Sequence, residues 1–205
     1  MKKELQLFNV EEQIGFNQDL FKDWWMNKGG CGAVTACDCC IYFKKYFGMT
    51  HLFPFDTDNI TKKEYEEFAM TMKPFLSPRF SGINKLEIFA DGFADYLKSV
   101  SDKKIKMNFL YSDCAYKVFS DEIKRLIDNN MPVPVLVLKH KAPVMKDFVW
   151  HWFWIAGYEE FDGVCMVKII TYGTYFMLPL YELWDSGYSE KGGIIRLRFA
   201  EEGEE

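Results

Sequence analysis

Two stretches of the chain hold residues whose types could do covalent chemistry. GGCGAVTACDCC, residues 29–40, puts four of the six cysteines within ten positions, the first framed by glycines. VWHWFWIAGY, residues 149–158, holds one of the three histidines. A thiol that opens a helix is well placed to ionise. The unpaired amides and the positive end of the dipole favour thiolate over thiol, and the same amides can receive an oxyanion. Cys31 fits that place; Cys37, Cys39 and Cys40 fall inside the helix. A cysteine nucleophile also needs a base that is close in the fold but need not be close in sequence. His151, 120 residues further on, is the candidate, because His51 in GMTHLFP and His140 in KHKAP read as solvated loop residues.

Other readings stand beside this one. Gly29, Gly30 and Gly32 either clear the approach to the sulfur or only make a turn, and Cys31 is then a small core residue. His151 is then a core histidine bonded to backbone. Cys37 and Cys40 lie one helical turn apart and could chelate with Cys31 or His51, but Cys39 points away and no second pair has zinc spacing, so neither metal nor cofactor is expected. The even number of cysteines could form disulfides. The chain is too long to need such staples and shows no secretory signal, so reduced thiols and a cytosolic compartment are expected.

The elements that must position these groups follow from periodicity. The residues after Gly30 read as a helix buried almost all round, closed by Lys44 and Lys45 at the negative dipole end and by Gly48 as a left-handed cap. Residues 61–73 read as an amphipathic helix with Thr61 as N-cap, Glu64 three positions on and Pro74 as the stop. Helices are also expected over 84–99, despite the internal Gly92, and over 115–129. Strands are expected over 104–110, 131–140, 149–158, 163–173 and 192–200. In the strand at 149–158, His151 shares a face with Phe153 and Ile155, while Trp150, Trp152 and Trp154 share the other. Both faces are apolar, which implies a sheet covered on both sides. A helical first half followed by a strand-rich second half is the order of an α+β protein.

These stretches, taken together, resemble the papain-like cysteine peptidases, above all the bacterial C39-like peptidases. That family carries a glycine-flanked Cys opening a central helix, a Pro-Val strand, and a strand of the form His-aromatic-x-x-x-x-Gly-Tyr. Here GGCGAVTACD, PVPVLVL, HWFWIAGYEE and VKIITYG occur in that order, covering residues 29–45 and 122 to about 184, while 49–114 match nothing in the pattern. The resemblance implies a papain-like fold, with the Cys-bearing helix packed on an antiparallel sheet. It also implies a cysteine peptidase or amide hydrolase that acts on a peptide or small amide. Its dyad is a Cys31 thiolate paired with protonated His151, working through a thioester acyl-enzyme. Gly30, Gly32, Trp25 and Trp152 are expected to line the substrate cleft. The family places an oxyanion-hole Gln about six residues before the Cys. Trp25 stands there, so Asn27 or the indoles of Trp24 and Trp25 are the candidate donors. The family's third member is an Asn or Asp, and the matching text is Ile170-Thr171-Tyr172-Gly173, which leaves Thr171 to orient the imidazole. The same dyad can serve an acyltransferase, and a relative that only binds a peptide or protein partner is the alternative.

Composition bounds these expectations. At 205 residues, 49% hydrophobic and 18% aromatic, the chain can bury a thick core and is expected to form one domain over 1–205. A net charge of -5 without a basic block excludes a nucleic-acid footprint, and the ending AEEGEE reads as a solvated tail. No apolar run is long enough for a bilayer, so no membrane association is expected.

Overall fold

The computed structural model of the chain describes residues 1–79, 82–201 and 203. The elements run β1 (Lys2–Glu4), β2 (Asn9–Val10), β3 (Gln13–Ile14), α1 (Trp24–Gly29), α2 (Cys31–Phe47), α3 (Lys62–Met72), α4 (Leu86–Ser99), β4 (Ile105–Tyr111) and α5 (Tyr116–Asp128). They continue with β5 (Val133–Val137), β6 (His151–Phe161), β7 (Val164–Thr171), β8 (Thr174–Pro179), α6 (Leu180–Trp184) and β9 (Gly193–Phe199). Single 3-10 turns lie at Gln18–Leu20, Thr50–Leu52 and Pro143–Phe148. The architecture is mixed α and β. Of the acidic ending, Glu202, Glu204 and Glu205 lie outside the described residues.

Helix α2 is the hub. Every residue from Cys31 to Phe43 is buried, as a helix apolar on all sides requires. It ends on Gly48, whose φ of 68° lets its N–H reach the Lys44 carbonyl. The Nζ of Lys44 donates to the carbonyls of Phe53 and Phe55 and pins the outgoing chain to that end. Within this apolar helix Asp38 is also buried. Its carboxylate accepts from Tyr65 Oη at 2.6 Å and Trp154 Nε1 at 3.1 Å, tying α2 to α3 and β6. Helix α3 opens with the anticipated capping box between Thr61 and Glu64. Helix α4 tolerates Gly92 for a packing reason: a Cβ there would lie 2.3 Å from the Phe75 carbonyl oxygen.

Opposite α2 lies a seven-stranded sheet in the order β4-β9-β5-β6-β7-β8, with β1 also paired to β6. All pairings are antiparallel. Strand β6 is its spine. Its first half pairs with β5, from Val137↔His151 to Val133↔Ile155, and its second half pairs with β1, from Glu4↔Gly157 to Lys2↔Glu159. The register of β6 with β7 shifts between Ile155 and Gly157, and the Ala156 carbonyl accepts the Leu5 N–H at 2.7 Å. Residues His151 to Tyr158 are all buried, as expected for a strand covered on both faces.

Several boundaries differ from the sequence expectations. The strand expected over 131–140 is shorter, β5 at Val133–Val137, and the chain then leaves the sheet through the 3-10 turn at Pro143–Phe148. Trp150 does not share a sheet face with Trp152 and Trp154, because it precedes the strand with φ of 52° and is 45% exposed. The strand expected over 163–173 stops at Thr171 in a two-residue turn, Tyr172 and Gly173 at φ 54° and 72°, which folds β8 back onto β7. Strands β1 to β3 and β8 and the short α1 and α6 had no periodic signal, being too short or held by their neighbours.

Candidate active site

Cys31 owes its position to a break between two helices. Asp23 caps α1 by accepting the Met26 N–H at 2.9 Å, and Lys73 at 2.7 Å from that carboxyl holds it below the usual carboxylate range. Gly30 ends α1 with its N–H on the Met26 carbonyl, and its own carbonyl accepts the Val34 N–H as α2 begins, both at 2.9 Å. Cys31 is therefore the first residue of α2. The glycines serve packing more than access. A Cβ on Gly30 would lie 2.4 Å from the Met26 carbonyl oxygen and one on Gly32 2.8 Å from Ile83 Cδ1, so both are contact points between helices and loop. Of these three glycines Gly29 alone lines the cleft, together with Gly82 from the loop before α4.

The thiol is 7% exposed. Burial pushes it up, opposed by the backbone amides of Trp152, Gly32 and Cys31 itself, which favour the negative sulfur. The influence of the Trp152 amide on the sulfur puts the start of β6 near the start of α2.

His151 is the first residue of β6 and 6% exposed. Its Nε2 hydrogen-bonds Thr171 Oγ1 at 2.7 Å, and the Tyr172 ring stacks on it at 4.7 Å and 5°. The tight β7–β8 turn supplies both partners, and Tyr172 is itself anchored by its Oη donating to the Asp147 carbonyl at 2.7 Å. In the tautomer that donates Nε2–H to Thr171 Oγ1, Nδ1 carries the lone pair. Burial pushes the imidazole down to about 4, so at neutral pH it is an uncharged base.

Cys31 and His151 open on one cleft of ≈ 400 Å³. Lys28, Gly29 and Arg79 form part of its lining, Trp150 another, and Gln18 and Asn84 add two amides. Thr171 is joined to this group through the imidazole, as the sequence suggested. Asn27 is not: its Nδ2 donates to the Asp19 carbonyl at 2.7 Å and clamps the turn that carries Gln18. Gln18, not Asn27, is the amide of this segment that lines the cleft. Its Nε2 reaches only the Asn27 carbonyl at 3.4 Å and its Oε1 is buried without a partner, so the amide can reorient toward a bound carbonyl. Sequence reasoning passed over Gln18 because it lies thirteen residues before Cys31; the signal it left was an amide in FNQDL, just ahead of the tryptophans.

None of the four residues expected to line the cleft does so: Gly30 and Gly32 are taken up by the packing just described, and the two tryptophans lie elsewhere. Trp25 packs edge-on against Trp24, with ring centroids 4.8 Å apart, and is not on the lining. The Trp152 ring is in the core, stacked on Phe89 at 4.3 Å, with Nε1 donating to the Ile83 carbonyl at 2.6 Å; Trp150 supplies the cleft aromatic instead. Its left-handed backbone turns that ring out of the strand, the kind of local strain that collects at functional sites.

The remaining candidates for chemistry are occupied. Cys37, Cys39 and Cys40 are buried free thiols, pushed well up by burial. Among the described residues no three His, Cys, Asp or Glu side chains converge as a metal site. His51 pairs with Asp102 at 2.7 Å. His140 is not solvated: Nδ1 accepts the Ala142 N–H at 2.9 Å and Nε2 lies 2.7 Å from the Glu182 carbonyl. Among the described residues no helix is long and apolar enough to cross a membrane. No protein-family model and no curated protein matches the chain.

Proposed function

We propose that this cleft belongs to a cysteine amide hydrolase of the papain-like, C39-like kind, which cleaves a peptide or small amide in the reducing cytosol. The observation that carries the reading is the shared cleft of Cys31 and His151, with Thr171 holding the imidazole from behind. A cysteine at the start of a buried helix, packed on the strand that bears the histidine, with the third group on the next strand, is the arrangement the resemblance implied.

Burial changes one feature of the expected chemistry. It disfavours both the thiolate and the imidazolium, so the resting dyad is a neutral pair rather than an ion pair. His151 then acts as a general base. The sulfur bonds to the acyl carbon as the thiol proton passes to Nδ1, and the carbonyl oxygen becomes an oxyanion held by the Cys31 amide and the Gln18 side chain. Collapse of this intermediate breaks the C–N bond, and the imidazolium gives its proton to the departing nitrogen. A water, deprotonated by His151, then cleaves the thioester and releases the acid. Protonation of both groups is thus spent and regained within one cycle.

Intact-mass measurement after incubation with a peptide vinyl sulfone tests this. One adduct per chain is expected, absent from Cys31→Ala and strongly slowed in His151→Ala, with the same pattern in hydrolysis of a fluorogenic peptide amide. Hydrolysis by Cys31→Ala at the unaltered rate would refute it.

A further inference from the structure

The cleft has a charge pattern that bears on which amides it holds. Lys28 and Arg79 line it, and no carboxylate does. Among the described residues neither cation forms an ion pair, whereas neighbouring Lys73 is paired with Asp23. Residues 80 and 81, beside Arg79, are Phe and Ser and bring no charge. In a chain of net charge -5, two cationic residues on the lining of one small cleft, neither in an ion pair among the described residues, run against the overall balance.

The cations are also on one side. Lys28 lies in the last turn of α1, and the Arg79 carbonyl packs against Gly29, 3.7 Å from where a Cβ would sit, so both belong to the α1 wall. The β6 wall holds Trp150 and His151. Since His151 must hand its proton to the departing nitrogen, the leaving group lies along β6 and the acyl chain along α1. The carboxylates Asp19 and Asp147 act on Tyr172, which stacks on the imidazole, and neither is on the cleft lining.

We propose that the cleft selects acyl groups bearing a carboxylate, as in amides whose residue on the acyl side of the scissile bond is Glu or Asp. This rests on reading the cleft as a Cys31–His151 acyl-transfer site. The substrate carboxylate replaces the missing counter-ion of Lys28 and Arg79, and a Lys at the same position meets two like charges.

Binding and turnover separate the two readings. Peptides identical except for Glu, Gln or Lys at that position are titrated into Cys31→Ala protein by calorimetry, and their hydrolysis by wild type is followed in parallel. Two partly exposed charge contacts predict roughly tenfold tighter binding of the Glu peptide than of the Gln peptide, weakening as salt is raised. The preference should vanish in a Lys28→Ala/Arg79→Ala background and favour the Lys peptide with both positions changed to Glu. Circular dichroism confirms that these surface variants fold. Equal affinity for all three peptides would overturn the selectivity even if hydrolysis occurs. A Glu preference in binding with no hydrolysis of any peptide would uphold the selectivity and overturn the hydrolase reading.

Discussion

The His151 imidazole is held by two groups that do different things. Thr171 Oγ1, 2.7 Å from Nε2, fixes the rotation of the imidazole, and the stacked Tyr172 ring sets its plane. Replacing Thr171 by Val removes the first constraint and leaves the volume nearly unchanged. Steady-state kinetics should show kcat lowered roughly tenfold with KM unaltered, and Thr171→Ser should restore it. The pH profile follows from burial. Under the proposed mechanism His151 works as the free base, so the acid limb of kcat/KM should fall near pH 4 rather than at the ordinary 6.5. With the Cys31 thiol pushed up, its alkylation by iodoacetamide should keep rising with pH through the ordinary thiol range. A plateau near pH 6 would reveal a thiolate-imidazolium pair in its place.

At the scale of elements, Asp38 makes α2 sensitive to pH. Desolvation pushes its carboxyl up from 3.8 to about 7, although Tyr65 and Trp154 donate to it. Between those values the folded chain binds more protons than the unfolded one, so stability falls as pH rises. The contribution is fully present below pH 3.8 and lost as pH passes about 7, a change on the order of 4 kcal/mol. Asp38→Asn keeps an acceptor but cannot ionise. Its melting temperature should decline less between pH 5 and 8 than that of wild type, and parallel declines would exclude the buried carboxyl as the cause. The element itself was legible from its apolar run and glycine cap, but Asp38 within CDCC raised no signal. A buried carboxyl becomes visible only when its two donors, from α3 and β6, are seen to meet it.

Across the whole molecule, the two candidate groups of the cleft come from layers that the chain builds far apart in sequence. Cys31 starts the central helix, His151 starts the spine of the sheet, and the layers are stitched by Trp152 to Ile83 and Trp154 to Asp38. Much of this could be read from local pattern. The buried helix from Cys31, the capping box at Thr61 and the strand around His151 rest on periodicity, caps and side-chain chemistry, which act within a few residues, whereas His140, expected to be solvated, is held by contacts with Ala142 and Glu182. What the tertiary structure alone decided depends on contacts between distant segments. It brought Gln18 rather than Asn27 to the cleft, because Asn27 is consumed by the Asp19 carbonyl. It turned Trp150 outward and Trp152 inward, through a left-handed residue just before β6. It buried both members of the proposed dyad, and burial raises the Cys31 thiol and lowers the His151 imidazole despite the helix amides that a sequence shows so plainly.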